Sequence, residues 1–446
     1  MAVVAATSSR RCSRPILIAR MRISRGYLAF PTIFMYTLSE EVPMQRPAGL
    51  PSRAQCGPVS LYQALRPRAK VAGTGSRSNG YPAVVSTLRV ALIAAFVAGF
   101  LSLGAANGAE AAEKGFWGPS EVNGKSQFPI YRSLGVTLYQ TSLDWAAVAP
   151  TRPANPADPG DPAYHWPTRL DSVIREAKRN NMHVLIMLIY SPPWANGGKS
   201  REWAPDPKLY AQFAQATARR YPAVRQWMIW GETSRADRFS PLEKQTIGQP
   251  LTRSQAEAPK RYARILDAAY GALKRVRRSN VVIGGNTFTA GDIRPVNWVK
   301  NMRLPNGRPP RLDVYGHNPF TLRTPSLSNP PGAGETVDFS DLGRFQKVVN
   351  RAFGRRGSKS RRVPLFLSEF TVPTGLDEEF NFYTTPKKQA EFITKGFGIA
   401  RAIKAYGLGW IHLYDSGPRD DGIRGGLIGL DGKRKPGFDA FRRGRL

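Results

Sequence analysis

The sequence predicts an α/β fold, a (β/α)8 TIM barrel, on three observations. From Lys114 onward, short apolar runs alternate with amphipathic stretches, the runs number eight, and together the units occupy about 330 residues, the span of such a barrel with long loops. In order, the strand candidates are Gly115 to Gly118, Gly135 to Gln140, His183 to Tyr190, Arg225 to Trp230, Val281 to Gly285, Leu312 to Tyr315, Pro364 to Ser368 and Gly409 to Tyr414. Between them, Leu170, Val173, Ile174 and Ala177, and later Tyr262, Ile265, Leu266, Ala269, Leu273 and Val276, recur at i, i+3, i+4 and i+7, which marks one buried helical face. A doubly wound open sheet is the competing architecture. It calls for a Gly-rich phosphate turn after the first strand, and the sequence has none there.

The portion before the barrel reads differently. Residues 1–86 are rich in Arg, Ser, Pro and Ala, carry only Glu40 and Glu41 as acids, and are expected to form no packed core or to be a leader upstream of the true start. Residues 87–112 contain Leu88-Arg89, an uncharged apolar run from Val90 to Ala106, and Ala109-Glu110-Ala111-Ala112. A basic residue, an apolar stretch and an Ala-x-Ala pattern make a secretory signal with cleavage near Ala111, or a signal anchor that associates with a membrane through residues 88–106. The expected location is therefore secreted, or anchored and facing the cell exterior. A tail before a buried helix is the plain alternative. Residues 113–446 form the barrel.

Both cysteines, Cys12 and Cys56, precede the barrel, so residues 113–446 need no disulfide and have no thiol nucleophile or thiolate metal site. The four histidines, His165, His183, His317 and His412, lack metal-ligand spacing, so neither metal nor cofactor is expected; Asp420-Asp421 reads as a solvated turn. There is no P-loop and no Gly-x-Ser-x-Gly elbow. The net charge of +33 raises the question of a nucleic-acid partner. The basic residues, however, are spread along the chain, and the densest runs, Lys274 to Arg278 and Arg355 to Arg362, fall where helices end and strands begin, on the barrel's lower face. A solvated basic exterior without nucleic acid is expected, which leaves anionic cell-wall polymers as prospective partners.

Two glutamates carry the chemistry. Glu232 in Trp230-Gly231-Glu232-Thr233 and Glu369 in Phe366-Leu367-Ser368-Glu369 each close an apolar run, at strands four and seven, where barrel strand ends converge on one mouth. A pair of carboxyl groups about 5 to 5.5 Å apart can cleave a glycosidic bond with retention, one ionised and one protonated. Hydrogen bonds from Tyr315 or His317 are expected to keep Glu369 ionised, and apolar burial beside Trp230 to hold a proton on Glu232. The bland alternative is that each glutamate caps a helix or pairs with an arginine such as Arg235. Trp145, Trp194, Tyr315, Tyr414 and Asp415 fall at or just after strand ends and suit a sugar site, which combines aromatic platforms with polar groups. Trp410 begins its strand and reads as structural. The long segments Pro150 to Pro162, Phe239 to Pro259, Thr321 to Phe339 and Ser416 to Gly426 would wall the same mouth.

The stretch Tyr164-His165-Trp166-Pro167-Thr168-Arg169-Leu170-Asp171, followed by His183-Val184-Leu185-Ile186 and Ser191-Pro192-Pro193-Trp194-Ala195, resembles the second and third units of the glycoside hydrolase clan with catalytic glutamates on strands four and seven. The β-xylosidase and iduronidase type and the cellulase type are most similar. Gly425-Gly426-Leu427-Ile428-Gly429-Leu430-Asp431-Gly432 and Lys435-Pro436-Gly437-Phe438-Asp439-Ala440-Phe441 resemble that clan's closing segment, so the likeness spans nearly all of Lys114 to Leu446. The resemblance implies an exported retaining hydrolase of a β-linked oligo- or polysaccharide, with Glu232 as acid/base and Glu369 as nucleophile. The clan usually places Asn before the acid/base and often Pro after it; here Gly231 and Thr233 stand there. Asn286, at the end of strand five, is the expected substitute donor to the sugar 2-hydroxyl. The departure also motivates the alternative of a barrel that binds carbohydrate and no longer cleaves it.

Overall fold

The computed structural model describes residues 112–356, 359–376, 382–417 and 422–446. The leader, the signal-like segment, both cysteines and Asp420-Asp421 lie outside the described residues. Eight parallel strands close into a barrel: β1 Glu113–Trp117, β2 Leu138–Asp144, β3 His183–Ile189, β4 Gln226–Ile229, β5 Val281–Phe288, β6 Val314–Asn318, β7 Leu365–Leu367 and β8 Gly407–Ile411. Each pairs with its sequence neighbours, and β1 closes the ring against β8 from Glu113 opposite Gly407 to Trp117 opposite Ile411. All eight expected runs are strands. A strand buried on both faces is a continuous apolar run, because one face meets the packed barrel interior and the other the helix layer.

One longer helix follows each strand: α1 Phe128–Ser133, α2 Thr168–Arg179, α3 Pro207–Arg220, α4 Glu257–Val276, α5 Pro295–Asn301, α6 Leu342–Phe353, α7 Pro386–Ala402 and α8 Pro436–Arg443. Local chemistry starts several of them. Proline stands in the first turn of α3, α7 and α8, where no amide donor is needed, while Asp206 and Thr385 accept from the free amides of α3 and α7. The buried faces of α2 and α4 are those the periodicity predicts, including Leu170, Val173, Ala177, Tyr262, Ile265, Leu266 and Ala269. Among the described residues no helix is long and apolar enough to cross a membrane.

The two ends of the barrel differ in chemistry. At the lower face, Glu113 is buried and saturated: its Oε1 meets His183 Nδ1 at 2.8 Å and accepts from Gln226 Nε2 at 2.9 Å, and its Oε2 accepts from Thr137 Oγ1 at 2.5 Å. Next to it, Lys114 Nζ donates to the carbonyls of Phe441, Arg442 and Gly444 at 2.5, 3.3 and 3.2 Å, and lies 4.6 Å from the Phe441 ring centroid. The first strand thus caps the C-terminal end of the last helix, where carbonyls lack partners and the helix dipole favours a cation. The basic run after α4 is on this face as expected, with Lys274 paired to Asp313 at 2.7 Å. The upper mouth is where backbone conformation becomes unusual. Tyr190, Trp230, Glu232 and His412, just past the ends of β3, β4 and β8, and Asn286, within the upper part of β5, all have positive φ, between 44° and 75°. Such residues are costly to hold and tend to gather where side chains must be aimed.

Candidate active site

β4 ends at Ile229, and the chain then turns through Trp230 and Glu232, at φ 66° and 44°. Trp230 is fully buried and donates from Nε1 to the Arg238 carbonyl at 2.8 Å, which folds the following loop back over the barrel end. Glu232 points inward with 0% of its surface exposed; its Oε2 accepts from Arg235 Nη1 at 2.9 Å and its Oε1 from Asn318 Nδ2 at 3.1 Å. Arg235 also holds Asp237 at 2.9 Å and lies 4.9 Å from the Phe288 ring centroid.

Glu369 follows β7 and is 2% exposed. Beside it, Ser368 Oγ lies 2.6 Å from Asn318 Oδ1 and 2.9 Å from Asn286 Oδ1, and its single proton serves one of them at a time. Asn318 therefore joins the two strand ends: one edge of its amide contacts Glu232, and the other contacts Ser368. The two carboxyl groups are close enough to act on each other electrostatically. Burial, and then the charge of Glu232, pushes the Glu369 carboxyl up to about 8, against smaller opposing effects of Arg238, Arg235 and an Asn318 hydrogen bond. The surroundings of Glu369 thus favour its protonated form. The sequence expectation had Glu369 kept ionised, and its raised carboxyl runs against that: its Oε1 has no partner among the described residues, whereas Glu232 accepts from an arginine and an amide.

Asn286 reaches the site through a β-bulge. The register between β5 and β6 shifts between Gly285 and Thr287, and Asn286 takes φ 45°, a conformation asparagine tolerates better than most residues. Its Nδ2 is buried without a partner among the described residues, so an amide donor stands ready beside the glutamates. Below them, Gln140 Nε2 donates to the Ser368 carbonyl at 2.9 Å. A Cβ on Gly409 would collide with both that carbonyl and Gln140, so glycine is required at this close approach.

The other expected site residues are placed elsewhere. Tyr315 and His317 share one face of β6, and it is the face toward α6. Tyr315 stacks 5.7 Å from Phe353, and His317 lies 4.9 Å from Phe345 with Nδ1 bonded to Thr287 Oγ1 and Nε2 to the Val337 carbonyl, both at 2.9 Å. Burial lowers His317 to about 4, so it is neutral and its nitrogens are occupied. Neither residue supports Glu369; Asn318, on the opposite face of the same strand, does. Trp145 is fully buried against Phe213 at 5.0 Å, and Trp194 packs edge-on to it at 5.3 Å and donates to the Ala149 carbonyl, so both belong to the outer packing around β2 and β3. Tyr414 and Asp415 lie beyond the end of β8. Tyr414 donates to Gln127 Oε1 at 2.6 Å, and Asp415 accepts from Lys435 Nζ at 2.6 Å and from the Gly426 amide, which closes the last loop. Surface hollows of about 430 and 490 Å3, one beside Trp203 and Arg264 and one beside Asn155 and Arg219, touch neither glutamate.

No protein-family model and no curated protein matches the sequence. Solved structures do. A family 39 glycoside hydrolase from Bacteroides cellulosilyticus superposes with a TM-score of 0.52 at 17% identity over 74% of this chain and 62% of its own. A glucosidase from Croceicoccus marinus gives 0.52 at 15% identity over 75% and 66%, and a family 39 β-xylosidase from Caulobacter crescentus gives 0.51 at 16% over 75% and 70%. The chain is similar in fold to glycoside hydrolases. It spans 62% of the length of the Bacteroides cellulosilyticus protein, and at these identities the likeness establishes the barrel. The clan resemblance read from the order of sequence segments therefore holds at the level of fold.

Several contributors escaped the sequence reading. Asn318 and Ser368 carry no signal beyond their position next to strand ends, and Arg238 lies within a polar loop. Trp117, the last residue of β1, packs on a small apolar cluster of Phe288, Phe320 and Ile411 at the upper rim, where Phe382 joins it. Its place at a strand end was the available cue.

Proposed function

We propose that this chain is a retaining glycosidase acting on a β-linked saccharide, with Glu232 as acid/base and Glu369 as nucleophile. The observation that carries the reading is the convergence of two buried carboxyl groups, from the ends of β4 and β7, on the amide of Asn318, close enough for the charge of Glu232 to act on Glu369. In the first step Glu369, ionised, attacks the anomeric carbon while Glu232 protonates the departing oxygen. In the second, water attacks that carbon, Glu232 takes its proton, and Glu369 leaves. For the first step Glu369 must give up the proton its surroundings favour, and Arg235 must release Glu232 for it to act as acid. Asn286 Nδ2 would donate to the sugar 2-hydroxyl, in place of the asparagine that Gly231 replaces, and the Trp117 rim would face the sugar's apolar side. A second reading has the roles exchanged, favoured by the Arg235–Glu232 ion pair. Residues 87–112 support export of the enzyme, to be checked by sequencing the mature N-terminus.

Turnover of 4-nitrophenyl β-glycosides by the full chain tests the activity, and a 2-deoxy-2-fluoro glycoside tests the roles. The expected result is a covalent adduct on Glu369 and a loss of about 10²- to 10⁴-fold in kcat for Glu232→Ala. An adduct on Glu232 establishes the exchanged roles. Undiminished turnover in either alanine variant removes the proposal.

A further inference from the structure

We infer that the lower face of the barrel docks on an anionic lipid bilayer, with the mouth turned away from it. Helices in this fold descend from the mouth to the lower face, and each of α1 to α8 carries Lys or Arg in its last turn. Arg132, Lys178, Arg275 and Arg443 are exposed examples, and Arg277, Arg278, Lys404 and Arg445 are exposed in the loops that follow. None of these eight has a carboxylate within ion-pair distance among the described residues. The loops returning from helix to strand contain one acid, Asp313, and Lys274 already holds it at 2.7 Å.

A cation at a helix C-terminus offsets the helix dipole, which accounts for some of these residues. It does not account for the doubled cations at the ends of α2, α3, α4 and α8, nor for those the loops add without interleaved acids. The mouth shows the contrast, because its arginines are paired: Arg235 with Glu232 and Asp237, Arg323 with Asp338 and Asp341. One end of the barrel is thus mixed in sign and the other is positive throughout. A face of one sign repels itself, and an extended anionic surface relieves that repulsion. The way the chain enters the barrel favours a bilayer as that surface. β1 starts on the lower face at Glu113, and only residues 107–112 separate it from the uncharged apolar run Val90 to Ala106. That connection reaches at most about 25 Å when fully extended. An apolar segment held in a bilayer would therefore bring this face, and not the mouth, to the headgroups. A lipid-embedded segment and a polybasic surface are the two signals that together give lasting membrane attachment. The docking is independent of the hydrolytic reading, and it leaves the mouth open to a saccharide.

The test is flotation of the full chain with vesicles of phosphatidylcholine alone and of phosphatidylcholine with about 30% phosphatidylglycerol. The ratio of the two partition coefficients measures the preference for anionic lipid. Residues 1–86 and the apolar run contribute equally in every variant, so differences between variants report on the barrel. Joint replacement by Arg275→Ser, Arg277→Ser and Arg278→Ser is expected to lower the ratio at least about 10-fold. Lys125→Ser with Lys433→Ser, at the mouth, is expected to leave it within about 2-fold of the wild type, and about 1 M salt to abolish it. Hydrogen exchange of the wild type on anionic vesicles should slow in the loops after α4 and α7 and not around Glu232, a result that stands even if the triple variant fails to fold. A ratio unchanged in the triple variant, or slowed exchange at the mouth instead, overturns the inference. Retention of the wild type on immobilised polygalacturonate or DNA at salt that frees it from vesicles, with the triple variant weakened, assigns the face to a soluble polyanion and also overturns it.

Discussion

Replacing Glu369 by glutamine tests the electrostatics of the pair through stability alone. In the folded chain Glu369 holds its proton up to about pH 8; in the unfolded chain the ordinary value is 4.5. Between these limits the folded state binds the extra proton, so wild-type stability falls as pH rises from 4.5 to 8, by about 1.4 kcal/mol per unit and about 5 kcal/mol in all. Below 4.5 both states are protonated and the contribution is intact; above 8 it is gone. Glutamine keeps the shape and cannot ionise. Urea unfolding followed by tryptophan fluorescence at pH 4, 6 and 8 should therefore show Glu369→Gln gaining on the wild type as pH rises. A swing of at least about 2 kcal/mol toward the variant between pH 4 and pH 8 is the expected outcome, after allowing for a compact unfolded state. A difference that is flat with pH, or that grows toward acid, would show that Glu369 is not the protonated partner and would refute the argument.

Asn318→Ala should lower kcat on aryl glycosides by about 10²-fold or more and cost about 1 to 3 kcal/mol of stability, because the amide joining Glu232 to Ser368 is lost; an unchanged kcat would separate the bridge from catalysis. Gly409→Ala should destabilise the barrel by about 1 to 3 kcal/mol in thermal melts, since the methyl group must displace the Ser368 carbonyl or Gln140, and a melt like the wild type's would contradict that crowding. Lys114→Met should cost about 1 to 3 kcal/mol and raise amide hydrogen exchange in α8, whose terminal carbonyls lose their donor; protection unchanged there would mean that the contact is idle.

The barrel was legible because each strand is buried on both sides and so leaves an unbroken apolar run, and because Glu232 and Glu369 stand out as acids directly after such runs. What surrounds them was not, for reasons of parity and reach. Reading β6 as Leu312 to Tyr315 stopped three residues short of its end at Asn318, and residue type then favoured Tyr315 and His317 over asparagine. Strand side chains alternate, so Tyr315 and His317 must share one side and Asn318 the other, and the choice of side depends on packing against Phe345 and Phe353 some thirty residues away. Trp145 misled in a similar way. It sits one residue past β2, where Asp144 caps a short helical turn by accepting from the Ala146 amide at 2.8 Å and so swings the indole outward. Asp415 has strand-end chemistry, but Lys435 claims it from twenty residues downstream. Asn286 was found by position, although the bulge that turns it inward has no local signature beyond the Gly284-Gly285 pair.

The seam between β1 and β8 has a consequence for how the molecule comes into being. Lys114 and its strand are among the earliest parts of the barrel to be synthesised, yet their partners, β8 and the carbonyls at the end of α8, are among the last. Until those arrive, β1 presents an open edge, and the curved sheet can only be a partial ring. Completion of the fold is thus timed by its latest residues, which leaves a long interval in which the growing polymer stays unsealed and available to whatever machinery handles it.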